Sequence, residues 1–287
     1  MKRALGRFLI SREFQLSIFA PLMRSIVRRS RGIYNYSPNF LTDIQAIERP
    51  HYAWCMLRAV DLAKRLGYPS ISGIEFGVAG GNGLVFMREF ADILEKYSGI
   101  KIECYGFDSG KGMPEPEDWR DLPYWFQAKQ YAMDEQKLRD RVGSAQLVIG
   151  EIRDTIDNFI SQYSPAPIGF VFNDTDYYSS TLASLKLFTY SLEHPECFMP
   201  RIFQYYDDII GSHWEMYGDR NGQLAAINDF NRSQGDIFIH HNQNLLADIH
   251  RNWRHQIYYC HLLKHPRYMD YIGGSPQTRL EAALALK

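Results

Sequence analysis

Several things are scarce in this sequence of 287 residues, and each scarcity closes off a class of explanation. Its four cysteines, Cys55, Cys104, Cys197 and Cys260, lie far apart and form no CxxC pair. Neither a zinc knuckle nor a disulfide framework is indicated, and a reducing, cytoplasmic setting is the simpler expectation. No uninterrupted apolar run approaches the roughly 20 residues of a membrane-spanning helix, and the best N-terminal stretch, Phe14 to Met23, is about half that length. Arg12 and Glu13 interrupt any signal-peptide core there. Net charge is also lacking: 32 basic and 33 acidic side chains leave −1, which argues against a nucleic-acid or other polyanion binder. No internal repeat or low-complexity tract is present.

What remains is ample for a packed core, with 45% apolar and 14% aromatic residues. The length suits one large α/β domain with appendages, or at most two small domains. The charge is unevenly spread. Residues 1–31 hold Lys2, Arg3, Arg7, Arg12, Arg24, Arg28, Arg29 and Arg31 against Glu13 alone, so this end carries +7 and the remainder −8. From Arg3 to Arg29 the arginines mix with apolar residues as in a basic amphipathic helix broken near Pro21. Such a segment suits the surface of an anionic membrane, with the protein then peripheral at its inner face. The alternative is packing on the main domain or on a second subunit, as in a homo-oligomer. Ser37-Pro38 reads as a linker and Asp43 to Leu66 as a helix. The expected division is an extension over residues 1–50 and a main domain over 51–287.

The main domain is organised around Ile71 to Gly83, ISGIEFGVAGGNG. A short buried strand ends near Glu75 and Gly77 and breaks into Val78, Ala79, Gly80, Gly81, Asn82 and Gly83, after which Leu84 to Lys96 is apolar at helical spacing. The unit is strand, glycine turn, helix. Six more short apolar stretches follow: Lys101–Asp108, Ala145–Ile149, Ile168–Asn173, Arg201–Asp207, Asp236–His241 and Ile257–Leu263. Helical patterns over Asp134–Val142, Arg153–Tyr163, Ser179–Glu193 and Gln223–Arg232 separate most of them. That alternation predicts a doubly wound α/β sheet of seven strands, and the irregular Asn242 to Arg254 predicts that the last two strands close as a hairpin.

In such sheets ligands sit at the carboxyl ends of the strands. The residues there are Glu75 and Gly77, Asp108 and Ser109, Gly150 and Glu151, Asp174 and Asp176, and Asp207 and Asp208. A dinucleotide fingerprint would need a third glycine where Phe86 stands, and a phosphate-binding loop would need Lys-Ser/Thr, so neither applies. Glu75 would repel a phosphate but accept a hydrogen bond from an ammonium. A cationic, amino-acid-bearing nucleotide such as S-adenosylmethionine therefore fits the turn better, with Asp108 placed to take ribose hydroxyls.

Asp174, Asp207 and Asp208 pose a charge problem. At about 4 Å and an effective dielectric of about 20, each pair repels by roughly 4 kcal/mol. No Lys or Arg adjoins either motif, so a divalent cation with oxygen ligands, Mg²⁺ before Mn²⁺ or Ca²⁺, is expected to neutralise them. Asp176 or Ser179 is expected to cap the following helix.

The stretches Glu75-Phe-Gly-Val-Ala-Gly-Gly81, Gly106-Phe-Asp-Ser-Gly-Lys-Gly-Met-Pro114, Asp174-Thr-Asp-Tyr-Tyr-Ser-Ser-Thr181 and Tyr206-Asp-Asp208 resemble, in order and spacing, the successive motifs of the macrocin O-methyltransferase family. The similarity runs from about Gly73 to Phe230 and weakens after Asp208. Where that family tends to have Asp-Ser-Phe-x-Gly-Leu-Pro, this chain has Ser109-Gly110-Lys111-Gly112-Met113-Pro114, and Thr175 replaces a usual glycine. The resemblance implies a Rossmann-like class I methyltransferase sheet and Mg²⁺-dependent methyl transfer from S-adenosyl-L-methionine to a sugar hydroxyl. It makes Asp174, Asp207 and Asp208 the metal ligands. Glu75, Gly77, Val78, Ala79, Gly81, Asn82, Asp108, Ser109, Gly150 and Glu151 would line the cofactor pocket.

Catalysis is expected at Asp174, with His213 as the first candidate for a base and His240 and His241 next. Trp119, Tyr124, Trp125, Phe126, Tyr131, Trp214 and Tyr217 are candidates for stacking on a small-molecule or glycan acceptor, or for packing the loops. Two other readings stand beside this one. Asp174-Thr175-Asp176 also resembles the DxD of metal-dependent glycosyltransferases, and a catalytically silent module could dock through residues 1–31.

Overall fold

A computed structural model describes residues 20–30 and 33–284. Most of the basic N-terminal segment, residues 1–19, and Arg31 lie outside the described residues. Seven strands form one mixed sheet in the order β3-β2-β1-β4-β5-β7-β6. They are β1 (Ser70–Phe76), β2 (Lys101–Asp108), β3 (Gln146–Ile149), β4 (Ile168–Asn173), β5 (Phe198–Tyr206), β6 (Ile237–His241) and β7 (Ile257–Leu262). β3, β2, β1, β4 and β5 run parallel, and β7 runs antiparallel between β5 and β6. The hairpin and the strand count agree with the sequence pattern.

Parallel strands are buried on both faces: β1 is buried at every position after Ser70 and β4 throughout, and β4 reads as a near-continuous apolar run. Helices α3 (Pro50–Leu66), α4 (Asn82–Ser98) and α5 (Glu135–Val142) pack on one face with Ile71, Phe170 and Phe172. Helices α6 (Ile152–Tyr163), α7 (Tyr178–Leu185) and α8 (Gly222–Ser233) cover the other, against Ile74, Phe76, Tyr105 and Phe107. The two-residue period of β1 therefore turns Ile71, Gly73 and Glu75 toward α3 and Ser72, Ile74 and Phe76 away from it.

Three expectations about boundaries need correction. The helix expected over Asp43–Leu66 starts only at Pro50, as α3: a separate helix, α2 (Pro38–Asp43), ends where it was expected to begin, and Gln45 turns the chain between them at φ 56°. Ser37 is not a linker residue: its Oγ accepts the Phe40 N–H at 3.2 Å and caps α2. The helix expected over Ser179–Glu193 stops at Leu185 and continues as a 3₁₀ segment over Lys186–Leu192. Ahead of these, α1 (Ala20–Ser30) carries Pro21 in its first turn, where proline is tolerated. The remaining short helices are α9 (Gln243–Leu246) and α10 (Ser275–Leu284).

One packing contact fixes how β4 sits on β1. A Cβ at Gly73 would lie 1.9 Å from the Phe170 ring, which is fully buried. Gly73→Ala is therefore expected to destabilise the fold by about 1–3 kcal/mol through overpacking. Adding Phe170→Leu should make the double variant less destabilised than the two single changes sum to. Urea denaturation of the four proteins tests this, and additive losses would mean that the ring does not meet Gly73.

Candidate active site

The strand ends meet around a cavity of about 460 Å³. Its walls include Gly77 and Ala79 from the glycine turn, Asp108 and Ser109 after β2, Glu151 after β3, Asp174 and Asp176 after β4, and Asp207 and Asp208 after β5. The turn and both aspartate motifs thus share one space. Gly77 has φ 82°, and any Cβ there would lie 1.9 Å from the Asp174 carbonyl oxygen, so only glycine lets β1 and β4 approach this closely.

Asp108 organises the turn. Its Oδ2 accepts the N–H groups of Val78 at 2.9 Å and Ala79 at 2.8 Å, and its Oδ1 accepts Gly110 N–H at 2.7 Å. This holds Ala79 at φ 43°, a conformation uncommon for a residue with a side chain. Ser109 Oγ donates to Gly112 O at 2.9 Å and closes the next loop. Val78, Gly81, Asn82 and Gly150 do not line the cavity and instead support the turn from behind. Val78 is buried, Gly81 packs against Leu138, and Asn82 accepts from the Arg141 guanidinium at 3.1 Å. Gly150 donates its N–H to Asp108 O at 2.9 Å.

Glu75 is buried beneath the turn. Its Oε1 accepts the Tyr52 hydroxyl at 2.7 Å, while Oε2 has no partner. A Cβ at Gly83 would overlap Oε1 at 1.7 Å, so only glycine at the start of α4 leaves room for this carboxyl group. Burial pushes its pKa up to about 7, although the Tyr52 hydrogen bond and the charge of Arg49 pull the other way.

Asp174, Asp207 and Asp208 each offer a carboxylate oxygen within 4.8 Å of the other two. Burial raises the pKa of Asp174 well above the usual carboxylate range, and the charges of Asp207, Asp208 and Glu75 raise it further. Asp208 is raised in the same way, first by burial and then by Asp176 and Asp207. Polar contacts hold the group in place. Asp208 accepts Asp176 N–H at 3.0 Å and the Tyr217 hydroxyl at 3.2 Å, and the Tyr205 hydroxyl donates to Asp207. Gln223, fully buried, accepts Asp208 N–H at 2.9 Å and donates to Asn173 O at 3.2 Å, locking the ends of β4 and β5 together.

Asp176 does not cap α7, and neither does the Ser179 side chain. Asp176 sits at φ 56° and faces Asp208, with burial and the Asp174 charge pushing its pKa up to about 7. The helix start is served instead by Asp121, which accepts Ser179 N–H at 2.8 Å and Ser179 Oγ at 2.9 Å. Asp121 comes from the loop after β2 and has no exposed surface. It ties that loop to the aspartate motif, and nothing local in the sequence marks it.

The expected base, His213, is exposed and does not line the cavity, because the chain after Asp208 turns outward. His240 and His241 lie on β6, apart from the cavity: His240 pairs with His261 at 2.9 Å, and His241 stacks on Tyr258. The premise that no cation stands near the aspartates holds along the chain but not in space. Arg49, just ahead of α3, lies 5.2 Å over the Tyr52 ring, and its charge is felt by both Glu75 and Asp174. The aromatics divide. Trp125, Phe126, Tyr131 and Tyr217 line the cavity, whereas Trp119, Tyr124 and Trp214 are exposed around it. Phe126 also joins Met113, Leu122 and Tyr177 in a small core that consolidates these loops.

No protein-family model matches the sequence, and no curated protein matches it either. Among solved structures, the calicheamicin methyltransferase CalS11 is similar with a TM-score of 0.50 and 15% identity, over 83% of this chain and 90% of that one. The O-methyltransferase NovP aligns with a TM-score of 0.48 and 14% identity, over 86% of this chain and 98% of that one. The fold, with its seven strands in this order, is that of the Rossmann-like methyltransferases.

Proposed function

We propose that the chain is an O-methyltransferase that uses S-adenosylmethionine and a divalent cation, Mg²⁺ first, to methylate a hydroxyl of a sugar or glycosylated small molecule. The observation that carries this reading is the single cavity joining the glycine turn to the three clustered aspartates. The four motifs similar to macrocin O-methyltransferases support it, as does a fold shared with a methyltransferase acting in calicheamicin chemistry.

The residues fit both groups. Glu75 keeps a buried carboxylate oxygen without a partner, which suits the ammonium of an amino-acid-bearing cofactor. Glu75 itself lies beneath the cavity wall, which Gly77, Ala79, Asp108, Ser109 and Glu151 line on this side. Three carboxylates within 4.8 Å form an all-oxygen donor set suited to a hard divalent ion. Asp174, Asp207 and Asp208 would hold it. Bound there, such an ion makes a nearby hydroxyl more acidic, while the cofactor supplies a methyl group on a sulfonium.

The protein's own part is positioning. Methyl transfer is an in-line displacement, so a nucleophilic oxygen must be held on the axis of the breaking bond. Asp174 stands between the turn and Asp207, so it touches both halves of the site. Asp176 also lines the cavity, held by its own N–H on Asp208, and is nearer the chemistry than any histidine considered. Trp125 and Tyr131 form the side of the cavity away from the sheet, where they suit stacking on a sugar face and excluding water. A diphosphate sugar, as the DxD reading needs, would face Asp108 and Glu151 as well as the aspartates, and this is less favourable.

Asp207→Ala is expected to lower metal-dependent methyl transfer by at least a hundredfold while S-adenosylmethionine binding, read by calorimetry, changes less than about threefold. Full activity in that variant would remove the metal role. Glu75 provides a pH test. Its folded pKa of about 7 lies above its ordinary value of 4.5, so its contribution to stability is complete below pH 4.5 and is lost as pH rises through about 7. Relative to Glu75→Gln, the ligand-free protein should lose about 3 kcal/mol across that window. Binding of an ammonium there favours the ionised carboxylate, so affinity for S-adenosylmethionine should climb as pH rises through 7 in the parent and stay flat in Glu75→Gln. Parallel pH profiles for the two proteins would contradict the assignment.

A further inference from the structure

Helix α1 has two unlike faces. Val27 is buried against the domain, and the Arg24 guanidinium reaches Ile44 O at 2.9 Å, with Arg28 on Gln45 O and Ile47 O at 3.4 Å. The opposite face leaves Leu22 55% and Ile26 49% exposed, followed by Ile33 at 79% and Tyr34 at 61%. Leu22, Ile26 and Arg29 recur at intervals of four and three residues, the spacing of one helical stripe. Beside that stripe lies a recess lined by Pro21, Arg24, Ser25, Arg28 and Arg29. The bonds of Arg24 and Arg28 go to neutral carbonyls, so no carboxylate among the described residues cancels their positive charge, and each guanidinium has further donors.

We propose that this face docks the protein on an anionic lipid bilayer, with the apolar stripe in the interfacial layer and lipid phosphates in the arginine recess. Exposed apolar side chains next to concentrated positive charge are the two signals that peripheral binding combines. Charge complementarity selects this occupant over a second copy of the chain. A two-fold contact would bring the same arginines face to face. The body beyond residue 31 carries −8, so an anionic surface attracts this end and repels the rest, which orients the molecule. Docking also touches the site's scaffold. The carbonyls held by α1 belong to residues 44–47, directly ahead of Arg49 and of α3, which carries Tyr52 to Glu75. The inference stands apart from the methyltransferase reading and does not require it.

Co-sedimentation of the full chain with lipid vesicles tests it. Binding is expected to vesicles containing phosphatidylglycerol and not to phosphatidylcholine alone, to weaken as salt is raised, and to persist in millimolar inorganic phosphate. Leu22→Asp with Ile26→Asp, and separately Arg29→Glu, should each reduce partitioning at least tenfold, since one basic residue at such a surface contributes about fivefold and reversal doubles the effect in logarithm. Thermal melting checks that the variants fold, and if the double variant does not, Arg29→Glu and the salt series still decide. No binding to anionic vesicles, equal binding to neutral ones, or unchanged binding in Arg29→Glu would overturn the proposal. So would variants that alter the sedimenting mass of the protein yet leave vesicle binding intact, since the face would then join protein copies.

Discussion

A row of main-chain hydrogen bonds runs across the carboxyl ends of the parallel strands, and the site depends on it. Asp207 N–H donates to Asn173 O at 3.0 Å, Asp174 N–H to Phe76 O at 2.9 Å, Gly77 N–H to Phe107 O at 2.9 Å, and Gly150 N–H to Asp108 O at 2.9 Å. Each bond carries the sheet ladder one residue past the last strand position, so the first loop residue of each strand inherits the register of the sheet. That is why residues 130 positions apart in sequence, Gly77 and Asp207, border one cavity. A one-residue slip in any strand would turn its terminal carboxylate to the other face and lose the arrangement.

The same register creates an electrostatic problem that the surrounding residues only partly relieve. Glu75, Asp174, Asp207 and Asp208 are brought together at the ends of three neighbouring strands, with Arg49 the cation whose field reaches Glu75 and Asp174. Hydrogen bonds from Tyr52, Tyr205, Tyr217 and Asp176 N–H stabilise individual oxygens. They add no positive charge. Glu75, Asp174 and Asp208 answer by binding protons more tightly, which is the direction that burial and like charge both impose. Under the proposed function a divalent cation would relieve the same repulsion, in competition with those protons.

Much of this was legible in the sequence because a buried parallel strand writes itself as a short apolar run, and the run's end marks the ligand side of the sheet. β2 and β4 begin and end where the apolar pattern does, and the strand-end carboxylates followed directly. What could not be read were partners without a local pattern. Tyr52 precedes Glu75 by 23 residues and meets it only because α3 packs across β1. Asp121 lies 58 residues before Ser179 and looks like any loop aspartate until it is found without exposed surface. Proximity along the chain also misled: His213 stands five residues after Asp208 but is carried outward by the loop, whereas Arg49, far away in sequence, comes within reach.

The two sides of the cavity are built by different means, and this separates the parts of the function. The donor side consists of strand ends, the glycine turn and buried carboxyl groups, all fixed by the sheet register and by contacts as tight as Gly77 on the Asp174 carbonyl. The outer side is assembled by loops after β2, β4 and β5, joined by the Met113, Leu122, Phe126 and Tyr177 core and by the Tyr124 hydroxyl on Glu215 O at 2.6 Å. Loops tolerate substitution far better than a buried parallel sheet does. Of the departures from the macrocin-type motif, Ser109 and Thr175 stand beside the strand-end carboxylates, whereas those from Gly110 to Pro114 fall on this outer side. A change there reshapes the wall presented to an acceptor and leaves the strand-end aspartates where they are. Under the proposed function, the chemistry and the choice of acceptor would thus be carried by separate layers, and the second could diverge while the first stays constant.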